Sequence, residues 1–138
     1  MKSTSETRAT ARAALDYIEA NPEKHRQADF YMVHDDDGQP VYVGQGRNVS
    51  EQNWCNTTMC VAGTAVFIDG GIEALRDCDD FDHKGAELLG LDFYEGSKLF
   101  YTMDESAAVE MLKAVAEGDE ARFDEVYARI EDDLYASH

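Results

Sequence analysis

Thr57-Thr58-Met59-Cys60-Val61-Ala62-Gly63-Thr64-Ala65-Val66-Phe67-Ile68-Asp69 reaches its first charged residue only at the last position. It leaves almost no polar face at any periodicity, the signature of a helix buried on all sides. A central, fully buried helix over 57–69 decides the fold class, because the remaining elements must cover it. Gly63 inside the stretch costs helix propensity, so another backbone is expected close by. Gly70-Gly71 supplies the stop.

Toward the N-terminus, Ala11, Ala14, Leu15 and Ile18 form an apolar stripe at helical spacing. They predict a helix from about Thr4 to Ala20, with Ser3 and Glu6 as a capping box and Asn21-Pro22 as its end. Pro22 opens a short turn through Lys24-His25-Arg26. Phe30-Tyr31-Met32-Val33 and Val41-Tyr42-Val43 flank an Asp- and Gly-rich turn and read as a β-hairpin. A hairpin alone is marginal in water, so it is expected to pack on helices. Gly44 to Asn53 reads as a polar loop.

Toward the C-terminus the pattern becomes short helices in an acidic background. Ile72–Arg76, His83–Leu89 and Tyr94–Tyr101 come first, the last two joined by Gly90-Leu91-Asp92. Asp104 caps a helix with Ala108, Met111, Leu112 and Val115 on one face, ended by Gly118. Asp119 caps another with Phe123, Val126, Tyr127, Ile130 and Leu134 on one face. So short a connection predicts an antiparallel helical hairpin. The expected fold is mainly α (α+β): one domain over 1–138, with one β-hairpin. Residues 1–103 form its core, and 104–138 an acidic helical hairpin packed on it.

The 138 residues carry a net charge of −17. Residues 1–68 hold six Lys and Arg against nine Asp and Glu, a net of −3; residues 69–138 hold six against twenty, a net of −14. A field so one-sided repels nucleic acid and acidic lipid and attracts basic partners. No apolar run approaches the length of a membrane span, and the N-terminus lacks the apolar core of a secretory signal. Three cysteines, an odd number, suit a reducing compartment. A cytoplasmic location and no cofactor are expected.

Candidate chemistry centres on the cysteines. Cys55 precedes a helix N-terminus, where the dipole lowers a thiol pKa, and His25, His34 or His83 could serve as its base. The bland alternative makes Cys55 part of a tight turn and Cys60 a small core residue. Cys55-x4-Cys60 and Cys78-x4-His83 together supply a Cys3His zinc set, although Cys60 belongs to the apolar helix. A calcium loop starting at Asp80 fails, with Lys84 where an oxygen ligand belongs and Leu91 where the bidentate Glu is required. Ala86 to Phe100 has helix-turn-helix spacing, but its second helix offers Asp92, Glu95 and Lys98 in an acidic region. DNA reading is therefore excluded, and a packing corner remains.

DNA mimicry is the opposite possibility. The final helix, Asp119 to Tyr135, has seven acids and two arginines. Over roughly 25 Å this is about one net charge per 5 Å, against one per ~1.7 Å of duplex axis. One helix is too dilute by about three-fold, so mimicry needs acids pooled from several elements. Dispersed acidity for solubility is the plain alternative.

Three landmarks carry a resemblance: Ile18-Glu19-Ala20-Asn21-Pro22-Glu23; Cys55-x-Thr57-x-x-Cys60-Val61-Ala62-Gly63-x-Ala65; and Ala86-x-x-Leu89-Gly90-Leu91 with Leu99-Phe100. In this order they resemble a group of small proteins from actinobacteria and their phages, over roughly residues 10–100. Asn56 stands where that group usually has Gly, and Thr64 where an aromatic is common. The resemblance implies a common fold and a phage or actinobacterial origin, and brings no catalytic residues.

The expected function is that of a non-enzymatic, phage-type accessory protein. Its acidic C-terminal face would bind a basic surface of a host protein, nucleic-acid-binding proteins among the candidates, in the manner of a DNA-mimic-like inhibitor. Asp104, Glu105, Asp119, Glu120, Asp124, Glu125, Glu131, Asp132 and Asp133 form that face. The competing expectation is a thiol or zinc site at Cys55 with Cys60, Cys78 and His83.

Overall fold

The structure is a computed structural model. It describes residues 1–27, 31–34, 37, 40–41 and 57–136, and the side chains of all of these except 31–34, 40–41, 57 and 133–136. The polar loop, Cys55 and Asn56 lie outside the described residues. Among those described, the order is α1 (Ser5–Ala20), a 3-10 turn (Pro22–Lys24), β1 (Tyr31–His34), β2 (Pro40–Val41) and β3 (Thr57–Met59). Then follow α2 (Val61–Asp77), α3 (Phe81–Leu89), α4 (Phe93–Phe100), α5 (Glu105–Glu117) and α6 (Glu120–Ala136). The fold is mainly α, as expected.

The hairpin strands pair antiparallel with Val33 opposite Val41 and His34 opposite Pro40. A third strand joins them on the far side of β1, giving the order β2-β1-β3. This corrects the expected start of the buried helix. Thr57 and Thr58 pair with Val33 and Met32 as β3, and helix begins at Val61. β-branched threonines suit a pleated strand better than a first helical turn.

α1 buries Ala11, Ala14, Leu15 and Ile18, the stripe read from spacing. Its cap is one residue later than expected. Thr4 Oγ1 accepts from the Thr7 amide at 3.1 Å, and Thr7 Oγ1 accepts from the Thr4 amide at 2.9 Å. The threonine pair closes both ends of a capping box, and Ser3 instead accepts from Arg8 at 3.0 Å.

α2 is two helices run together. Gly71 has φ 74° and ψ −163°, a region that essentially only glycine occupies. The break kinks the helix, and Met59, Val66 and Leu75, on both sides of it, belong to one apolar cluster. On a straight helix Val66 and Leu75 would stand about 13 Å apart along the axis. Against the first half, α3 approaches through Gly85, where an added Cβ would lie 3.2 Å from Ala62 Cβ and 3.0 Å from Phe100 Cζ.

A second, larger cluster joins all six helices, with Leu15, Val61, Ala65, Leu89, Phe100, Met111, Leu112 and Phe123 among its members. α5 lies along α1 within that cluster. Arg129 of α6 reaches back to Glu110 of α5 at 2.6 Å, so the pair runs antiparallel across Gly118-Asp119.

One buried polar side chain ties these layers together. Gln27 is 4% exposed. Its amide nitrogen donates to the carbonyls of Leu99 and Thr102, both at 3.0 Å, and its oxygen accepts from the Val61 amide at 2.9 Å. Gln27 thus caps the N-terminus of α2 and holds the end of α4 against it. Cys60, at the cap position itself, makes no side-chain cap bond.

Candidate functional site

Many of the acids in the second half have local structural work. Four helices in succession are entered through an aspartate that accepts from an amide three residues on. Asp80 accepts from His83 at 3.1 Å, Asp92 from Glu95 at 2.7 Å, Asp104 from Ala107 at 3.1 Å and Asp119 from Arg122 at 3.0 Å. Asp82, Glu95, Glu105 and Glu120 then sit in the first turns of these helices. Negative charge there opposes the positive end of the helix dipole. Eight of the twenty acids in residues 69–138 are thus placed by helix chemistry.

Of the expected acidic face, Asp104, Glu105, Asp119, Glu120, Asp124, Glu125, Glu131 and Asp132 are all exposed. The Asp133 side chain lies outside the description. They do not form a single stripe. At about 3.6 residues per turn, Glu120, Asp124 and Glu131 share one flank of α6, while Glu125 and Asp132 lie roughly 100° around it. Ion pairing divides them further. Glu125 accepts from Arg122 at 3.1 Å, and Glu120 lies 3.2 Å from the Met1 ammonium, which also meets Glu95 at 3.2 Å. Hydrogen bonds from the ammonium to Glu120 and then Glu95 raise its pKa. Both arginines of α6 are engaged, Arg122 by Glu125 and Arg129 by Glu110. Glu105, Asp124, Glu131 and Asp132 have no cationic partner among the described residues. A shallow groove of about 320 Å³ between α5 and α6 is mixed in sign, with Lys113 and Arg122 beside Glu110, Glu117 and Asp119.

Of the cysteine alternative, Cys60, Cys78 and His83 are described and Cys55 is not. Burial pushes the Cys60 thiol up to about 11, against weaker help from the Gly63 and Ala62 amides. Burial also raises Cys78, and the charges of Asp80 and Asp79 add to it. Neither thiol has the electropositive, accessible surroundings of a nucleophile. His25 bonds Gln27 Oε1 at 3.0 Å, and His83, which lines one groove with Cys78, is bonded through Nδ1 to Asp80 at 2.5 Å. The bond from the His83 amide, and after it the ring contact, lowers the Asp80 pKa. The His34 side chain is outside the description. Among the described residues no group of three or more His, Cys, Asp or Glu is placed to hold a metal. Cys78 instead lines an acidic groove of about 420 Å³ with Asp69, Asp77, Asp79, Asp80 and Glu87, where Lys84 is the lone lysine.

The helix-turn-helix corner is real as geometry. Gly90 turns it at φ 72°, and Ala86, Leu89, Leu91, Leu99 and Phe100 are buried in it. What it shows to solvent is aromatic: Phe93, Tyr94, Tyr101 and Met103 are the large exposed apolar side chains among the described residues. The sequence reading missed them. The signal was a surplus: Phe93-Tyr94 and Phe100-Tyr101 supply more aromatic surface than one buried stripe on an eight-residue helix can take.

Among the described residues no helix is long and apolar enough to cross a membrane. Comparison of the chain with protein-family models, with curated proteins and with solved structures finds no match.

Proposed function

We propose that the chain is a non-enzymatic accessory protein that binds a basic surface of another protein through the acidic faces of α5 and α6. One observation carries the reading. The arginines of α6 are consumed by Glu125 and Glu110, while Glu105, Asp124, Glu131 and Asp132 stay exposed with no cation beside them among the described residues. Carboxylates left so, in a chain of net charge −17, steer a positively charged partner toward that face and repel nucleic acid and anionic lipid. The same argument supports a nucleic-acid-binding protein as the partner, since its basic surface is built to meet an array of negative charge. An inhibitor that occupies such a surface is the form in which DNA mimicry fits this chain. The acids would then be pooled from α5 and α6, because α6 alone is too dilute.

Capture from host lysate on the immobilised protein tests the reading. Basic proteins are expected to be retained at about 50 mM salt and released steeply by about 300 mM, where the Debye length has fallen well below 10 Å. An acidic partner, or retention indifferent to salt, would sink it.

A further inference from the structure

The large exposed apolar side chains of the described residues all come from one short stretch. Phe93 is 52%, Tyr94 79%, Tyr101 58% and Met103 63% exposed. They belong to α4 and the turn after it. The inner side of α4 is occupied by Gly96, Leu99 and Phe100, which leaves Tyr94, Ser97 and Tyr101 following one another along the outer side at helical spacing. Phe93 is steadied by the His83 ring, stacked at 4.8 Å between centroids and 23° between planes. The Tyr101 hydroxyl donates to Asp82 at 2.7 Å. Lys98, the lone basic residue of α4, lies over the Tyr127 ring at 5.1 Å. Its ammonium is therefore drawn toward α6.

The surroundings say what such a surface takes. Asp92 caps the start of α4, Asp104 caps the helix after the following turn, and Asp82 lies against Tyr101. An aromatic face beside a carboxylate attracts cations twice, through the ring quadrupole and through charge. A planar guanidinium stacks on such rings and pairs with a carboxylate at the same time, which an ammonium does less well. Tyrosine meeting arginine is also a common energetic centre of protein interfaces. A second copy of the chain would bring another −17 charge to the contact, and nucleic acid or anionic membrane meets the same repulsion.

We propose that the exposed side chains of α4 and the turn after it, Phe93, Tyr94, Tyr101 and Met103, with Asp82 beside Tyr101, dock an arginine-bearing segment of a partner protein. This rests on the reading of a basic partner. It places the tightest part of the contact on aromatic rings of α4, with the acids of α5 and α6 acting at longer range.

Fluorescence anisotropy of the full chain with short labelled peptides tests it. The probes are an eight-residue Arg/Gly repeat, its Lys/Gly counterpart and its Glu/Gly counterpart. The arginine peptide is expected to bind more tightly than the lysine peptide, and the glutamate peptide not at all. Tyr94→Ala, at an exposed position that leaves folding intact, is expected to weaken the arginine peptide about tenfold, while Tyr94→Phe retains binding. Neutralising Asp124, Glu131 and Asp132 together is expected to flatten the salt dependence and keep the preference for arginine. Equal binding of the two cationic peptides, or no effect of Tyr94→Ala and Met103→Ala, overturns the α4 surface and leaves the acidic faces standing. Absence of all cationic binding overturns both. A dimer that Tyr94→Ala dissociates, seen by sedimentation, assigns the face to a second copy and overturns the proposal.

Discussion

Residues 57–77 and 104–136 feed apolar side chains into the same interior and are closed off by opposite means. The second region caps itself. Asp104 and Asp119 accept from amides three residues ahead, and Gly118 ends α5 in the left-handed region at φ 69°. The first region borrows its cap. Cys60 offers no side-chain bond at the start of α2, and the Val61 amide is held by Gln27, 34 residues earlier in the chain. The difference separates two kinds of surface. A self-capped hairpin can vary its outer residues away from the caps without touching its own boundaries. A borrowed cap ties the start of α2 to the end of α4.

The largest consequence of that contrast falls on Gln27. Gln27→Leu leaves the Val61 amide and the Leu99 and Thr102 carbonyls buried without their partner, and is expected to cost about 4 kcal/mol in urea unfolding. A loss below about 1 kcal/mol would mean that the borrowed cap is dispensable. Gly71→Ala comes next, at about 2 kcal/mol. Nothing lies within 4 Å of the added Cβ, so the whole effect is backbone conformation, and unchanged stability would contradict the kink in α2. The smallest effect is expected in the self-capped region. Asp104→Ala should cost about 1 kcal/mol and Asp104→Asn almost nothing, because asparagine caps equally well. Equal losses from both substitutions would show that Asp104 acts through charge and not through its cap.

The same contrast explains what could be read beforehand. The helices capped by Asp104 and Asp119 were legible from their caps, whereas those entered at Asp80 and Asp92 were placed within two residues without their caps being read. The α1 stripe of Ala11, Ala14, Leu15 and Ile18 was legible from spacing alone. The start of the buried helix was read four residues early, at Thr57 in place of Val61. An apolar run does not say where strand gives way to helix, and the pairing of Thr57–Met59 with β1 is a long-range fact. Gln27, a polar residue between two elements, carried no local sign of its four hydrogen bonds. Of the candidate site, the exposure of the acids followed from the apolar stripes opposite them. Their division over two flanks of α6, and the engagement of Arg122 and Arg129, required the placement of neighbouring helices. The exposed aromatic side chains of α4 were not singled out, because which side of so short a helix faces inward is set by its neighbours.

The most direct test compares the chain with its Asp124→Asn, Glu131→Gln, Asp132→Asn variant in capture from cell lysate across salt. All three positions are exposed and lie away from the caps, so stability is expected to change by less than about 0.5 kcal/mol. The unmodified chain is expected to retain basic proteins at low salt that the variant releases several-fold more readily. Retention of the same proteins by both, with the same dependence on salt, would contradict the role assigned to the acidic hairpin.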